Sequence, residues 1–168
     1  MLHNEKKGEN AMWKKGYVAC VFAVALAITG VPFGEAAPFA QAAGSGKGKF
    51  VKVTDCYKRL NCDRRKNGLK PLKRDAWLEK KARIRAKELV RRFSHTRPNG
   101  RDGIDMIPLS KAAGENIGSG QETCAEVMRD WMRSKNHRIN LRERAFKRTG
   151  TAGYRYRCVI YWVQLYSS

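Results

Sequence analysis

Leu78, Ala82, Ala86, Leu89 and Phe93 recur at helical spacing behind Asp75, whose carboxylate can accept the free amides of a helix N-terminus. That stripe predicts an amphipathic helix from Asp75 to about Arg92, with one face on a core and the wet face of "KRDAWLEKKARIRAK" in solvent. Such a helix needs a second surface to cover it. "YRYRCVIYWVQLYSS" at the C-terminus supplies one, because it alternates and is aromatic and β-branched; it predicts the last strands of a sheet, with Trp162 and Leu165 on different faces. A shorter helix is predicted from Asp55 to Lys66, with Tyr57, Leu60 and Arg64 on one stripe and Asn67-Gly68 as its left-handed stop. Thr123 to Glu126 has the T-x-x-E form of a capping box and opens a third helix, buried through Cys124, Val127, Met128, Trp131 and Met132 and ending near Ser134 or Lys135. Helices come first and strands last. Between them Pro98, Gly100, Gly103, Pro108 and Gly114 break up a long irregular connection, a kind of segment that carries function in compact domains.

At 168 residues the chain has room for one domain. Residues 1–42 read as a secretory signal peptide: Lys14 and Lys15 precede an apolar run from Tyr17 to Val31, and Ala40-Gln41-Ala42 offers the small residues of a cleavage site. A transmembrane anchor is the competing reading, but about 15 apolar residues fall short of the roughly 20 that a span needs. Met12, just before the two lysines, would start a leader of more usual length. Residues 43–52 come next as a flexible, basic, Gly-rich segment and 53–168 as the domain, with the fold starting near Phe50. Cys20 belongs to the leader. Cys56, Cys62, Cys124 and Cys158 remain, an even number in a small exported domain and therefore disulfide candidates, with no C-x-x-C pair to suggest zinc or redox work. If Cys56 and Cys62 share the first helix they stand about 9 Å apart along its axis, beyond the roughly 7 Å that separates bridged Cα atoms. Bridges would then run from the first helix to the third helix and to the final strands.

Lys and Arg number 35 against 15 Asp and Glu, a formal charge of +20; without the leader's four lysines and three acids the balance is 31 to 12, or +19. A field of that sign attracts polyanions: wall polymer, acidic glycan, lipid headgroups or nucleic acid. Export argues against a genomic target, and no stacking motif interleaves aromatic with basic residues, so nucleic acid is an alternative that charge alone supports.

Three segments, "FSHTRPNG" and "GENIGSG" in the irregular connection and "WMRSKNHRINL" beyond it, stand between "LNCDRRKNGLKPL" and "YWVQLYSS". In that order, over residues 53 to 167, they resemble the bacterial secreted branch of the CAP superfamily, the SCP-like domain of cysteine-rich secretory proteins, antigen 5 and plant pathogenesis-related proteins of class one. The resemblance implies an α+β fold, a three-layer α-β-α sandwich around a small, mostly antiparallel central sheet, with a cleft lined by two histidines and two acidic residues. The family histidines fall on His95 and His137, and the glutamate of the G-E-N motif on Glu115. Where complete members carry a second glutamate, this chain has Ser134. Two neutral imidazoles and one carboxylate, His95, His137 and Glu115, suit Zn²⁺ or another divalent cation with water completing the shell. The alternative is a polar cluster in which Glu115 accepts hydrogen bonds from the rings and ties loop to helix. Ser134, His137 and Glu115 are also the residue types of a hydrolytic triad, but nothing like G-x-S-x-G accompanies them. The resemblance thus implies a secreted, extracellular or cell-surface associated binding module, and the chain's charge selects an anionic partner for it. Metal-assisted hydrolysis at His95, His137 and Glu115 is the alternative, and extracellular nucleic-acid binding the second.

Overall fold

The computed structural model describes residues 16–17, 47–107 and 112–168. The expected signal peptide and the first residues of the basic segment lie outside the described residues, Gly16 and Tyr17 excepted. In chain order the elements are β1 (Gly16–Tyr17), β2 (Lys49–Phe50), α1 (Thr54–Lys66), β3 (Lys73–Arg74), α2 (Ala76–Arg91), a 3-10 turn (Gly103–Met106), β4 (Ala112–Ser119), α3 (Cys124–Arg133), α4 (Lys135–Arg142), β5 (Arg148–Tyr156) and β6 (Val159–Ser167).

β6 lies between β4 and β5, antiparallel to both, and this trio is the centre of the sheet. β1 runs parallel to β4 at one edge, while β2 and β3 share the outer edge of β5. The alternation of β6 decides the layers. Ile160, Trp162 and Tyr166 pack with Leu60 of α1, Val127, Met128 and Trp131 of α3 and Leu141 of α4. Val163 and Leu165 point the other way, onto Leu78, Ala82, Ala86 and Leu89 of α2. Helices therefore cover both faces, each fully buried Leu contributing about 1.5–3 kcal/mol, and the fold is the α-β-α sandwich with Trp162 and Leu165 on opposite sides. α2 seats against backbone: a Cβ on Gly150 would stand 2.2 Å from the carbonyl carbon of Leu78.

The helix signals hold in detail. Asp75 accepts the Leu78 amide at 2.9 Å, and Gly68 takes φ of +66° behind α1. Thr123 Oγ1 accepts the Glu126 amide, while Glu126 reaches back to the amide of Glu122, one residue earlier than the box pattern places it. Arg64, buried on the α1 stripe, donates to the carbonyls of Lys70, Leu141 and Glu143 and so ties α1 to the end of α4.

Four expectations are corrected. Phe93 is 45% exposed, because α2 stops at Arg91 and Arg92 is already extended, which carries Phe93 off the stripe. Pairing in the segment expected to be flexible begins at Lys49, where the Phe50 ring meets Tyr154 at 5.0 Å. The irregular connection ends at β4, which precedes α3, so strands do not simply come after helices. Finally, the cysteines among the described residues give one bridge. Cys56–Cys124 joins α1 to α3 over a separation of 68 residues, whereas Cys62 and Cys158 are free and exposed. Six residues beyond Cys56 the helix has turned Cys62 to solvent, and Cys158 sits in the turn between β5 and β6.

Alkylation of the folded, unreduced protein is expected to label Cys62 and Cys158 and to leave Cys56 and Cys124 in one disulfide-linked peptide pair. Removing that bridge by Cys56→Ala with Cys124→Ala should lower stability by about 4 kcal/mol on chain-entropy grounds. Mass mapping that finds Cys62 or Cys158 in a bridge would overturn the assignment.

Candidate functional site

The site begins inside α2. Arg85 lies three residues after Ala82 and four before Leu89, within the buried stripe, and is 0% exposed. Its Nε donates to Glu115 Oε2 at 2.9 Å, and Glu115, on β4, is 3% exposed. A charge so deeply buried needs a partner, and each supplies the other's. Arg85 also donates to the carbonyl of Ser94, just past the end of α2. The loop beyond is folded on itself: the Gly100 amide donates to the Arg97 carbonyl around Pro98-Asn99, and Thr96 bridges to Asp102. His95 therefore arrives at Glu115 with its backbone held, its carbonyl accepting from the Gly103 amide at 2.8 Å. Gly103 must pass close to do this, since a Cβ there would stand 2.3 Å from Glu115 Oε2.

His95 Nδ1 lies 2.8 Å from Glu115 Oε1. The carboxylate can only accept, so the Nδ1–H faces it and Nε2 is the lone-pair nitrogen of the neutral ring. Arg97 closes the chain of charges with a two-pronged contact to Glu88, at 2.9 and 2.6 Å, while Glu88 lies 3.6 Å from Arg85. Arg85 Nη1 makes no hydrogen bond and depends on that longer electrostatic contact.

His137 comes from the other side of β4. Asn116 points away from Glu115 and donates to the carbonyl of His137 at 3.1 Å and to Tyr166 OH at 3.2 Å. Asn140 of α4 donates to Asn116 Oδ1 and to the Glu115 carbonyl, so α4 is fastened to β4 at this level. The His137 ring is half-buried near the Trp131 ring, 6.4 Å between centroids. Burial, and secondarily the nearby His95, push its pKa below the usual histidine value.

The structure thus brings His95 and Glu115 into contact and sets His137 close enough to feel His95. It does not join His137 to Glu115. Ser134 is the joint between α3 and α4: its amide donates to Asp130 and its carbonyl accepts from Arg138, while its hydroxyl caps neither helix. Among the described residues no group of three or more His, Cys, Asp and Glu side chains stands where it could hold a metal ion. Glu115, already committed to Arg85 and His95, is an orienting acceptor rather than an available ligand, so the three-ligand set of His95, His137 and Glu115 does not fit this arrangement and no step is routed through a cation. Arg85 is the site residue that the apolar pattern concealed; its place on the α2 stripe between Ala82 and Leu89 is the signal that marks it. A separate groove of about 450 Å³, lined by Lys52, Asp55, Lys58, Glu122 and Trp162, lies on the other face of the sheet.

The sandwich architecture agrees with the comparisons. The family model of the cysteine-rich secretory protein family, CAP, matches residues 57–166, and the chain belongs to that family. Protein YkwD of Bacillus subtilis (strain 168), itself uncharacterized, is 39% identical over 108 residues, which are 61% of this chain and 40% of that relative. The chain therefore spans less than half of that relative's length. An outer surface protein of Borrelia burgdorferi has the same fold with a TM-score of 0.63 at 22% identity, over 73% of this chain and 98% of that one. An extracellular SCP-domain protein of Bacillus anthracis str. Ames gives a TM-score of 0.60 at 23% identity, over 67% of this chain and 39% of that one.

Two outcomes test the site. Arg85→Ala leaves Glu115 buried without its partner and should cost about 3–5 kcal/mol, whereas Arg85→Met combined with Glu115→Leu should recover most of that loss; equal melting temperatures for the single and double variants would contradict the pairing. For His137 the folded pKa is depressed, so its contribution is complete above the unfolded value near 6.5 and declines as pH falls below it toward the folded value. His137→Gln should flatten the fall of melting temperature just below pH 6.5; an unchanged slope would show that the ring is not held neutral by the fold.

Proposed function

We propose that this chain is an exported CAP-domain binding module whose partner is an anionic component of a cell surface or its surroundings. The carrying observation is how the charges are divided. Among the described residues every ion pair is made by Arg or His, and none by Lys. Arginine's planar fork suits fixed pairing with a carboxylate, whereas the lysine ammonium is a mobile point charge. The lysines are thus left to project a field outward, on a chain with a formal charge of +20. The extracellular and outer-surface proteins that share the fold, and the leader-like first 42 residues, support export. No helix among the described residues is long and apolar enough to cross a membrane. The hydrolytic alternative lacks a gathered ligand set, and a nucleic acid remains one member of the polyanion class.

Binding to a soluble polyanion should be steep in salt, because several lysines release condensed counterions together: for six such contacts on a polymer of DNA-like charge density, affinity falls about a thousand-fold between about 50 and 200 mM salt. Titration at a series of salt concentrations measures the slope. An affinity that hardly changes over that range would refute the proposal.

A further inference from the structure

The outer side of α2 carries a second stripe as regular as the buried one. Trp77, Lys80, Ile84, Lys87 and Arg91 succeed one another at intervals of three, four, three and four residues, all exposed, opposite Leu78, Ala82, Arg85 and Leu89. Such spacing keeps side chains on one line, here about 21 Å long. Trp77 is 44% exposed and Ile84 41%, and each lies between or beside cations. Lys81 holds its ammonium 5.0 Å from the Trp77 ring centre. Arg83, beside the ridge, and Lys87, within it, stand over Phe50, which continues the positive surface to the exposed Lys47 and Lys49. The two acids of α2 do not break this line of charge: Glu79 accepts from Tyr57 and Arg74, and Glu88 from Arg97.

We propose that this ridge docks α2 flat onto an anionic phospholipid surface. The proposal rests on the reading of an anionic partner and names its source. Cations alone would serve for any polyanion, but a soluble polymer gives Ile84 nothing to bury against. A bilayer interface accommodates both kinds of side chain at one depth: Trp and Ile enter the headgroup and acyl boundary, while Lys and Arg meet lipid phosphates. Each cation brought near an anionic leaflet contributes about 1 kcal/mol.

The test is sedimentation of the full chain with phosphatidylcholine vesicles, with and without phosphatidylglycerol, beside elution from an immobilised soluble polyanion such as polyphosphate. Wild type should bind the phosphatidylglycerol vesicles well above the neutral ones. Lys80→Gln with Lys87→Gln should weaken that binding about 25-fold, from two cations at about 1 kcal/mol each. Trp77→Ala with Ile84→Ala should weaken it at least about ten-fold through lost apolar burial, with unchanged elution from the polyanion. All four side chains are exposed, so both variants should melt as wild type does. Vesicle binding undiminished in Trp77→Ala with Ile84→Ala would overturn the ridge. Wild type that binds polyphosphate but not the anionic vesicles would overturn the lipid source and leave the proposed function standing, with a polymer or glycan as partner; failure to bind either would sink both.

Discussion

A carboxylate buried on β4 and a guanidinium buried on α2 must meet, because neither can be left alone in the interior without a penalty of several kcal/mol. The pair Glu115 and Arg85, 2.9 Å apart, satisfies that demand and in doing so fixes α2 against the sheet. Both groups also hold the loop between them. Glu115 takes the His95 ring and Arg85 takes the Ser94 carbonyl, so the start of the loop after α2 is anchored on this ion pair. The G-E-N motif gains its meaning from strand alternation. Glu115 faces α2 and the His95 loop, and Asn116, the next residue, faces α4 and the His137 backbone. Two consecutive residues thus hold the two histidine-bearing segments at one level of β4, from opposite sides.

The range of the forces involved decides which parts of this were legible in the sequence. α1, α2 and α3 announce themselves through local signals: an Asp or Thr cap, a left-handed glycine and an apolar stripe. β5 and β6 are legible for the same reason, through alternation. β4 was hidden, because "AAGENIGS" carries three polar residues and two glycines, and its polar side chains are balanced only by partners distant in the chain, Asn140 and Tyr166 for Asn116 and Arg85 for Glu115. α4 was hidden because its eight residues bury only Asn140 and Leu141. Arg85 was hidden by its own charge, which in a row of lysines and arginines reads as solvent-facing. The histidines were legible only by resemblance, since no local rule brings His95 to Glu115 across 20 residues. The bridge from α1 to α3 was half legible: helix geometry forbids pairing within α1, but the choice of Cys124 over Cys158 belongs to the packing of α1 on α3.

The division of labour between the two basic residue types joins the fold to its proposed role. Arg64, Arg85, Arg97 and Arg142 are held by carbonyls or carboxylates that link separate elements, and Arg64 and Arg85 are buried. Contacts removed from water are weakly screened, whereas exposed charges lose most of their reach beyond about 8 Å at physiological ionic strength. Rising salt therefore weakens what the lysines project long before it loosens what the arginines hold. A protein built this way can release an anionic partner while its sandwich, its Cys56–Cys124 bridge and its Glu115 pair remain intact. On α2 the two tasks fall to opposite sides, with Arg85 turned inward to hold the fold and Lys80 and Lys87 turned outward, toward where the anionic partner is proposed to bind.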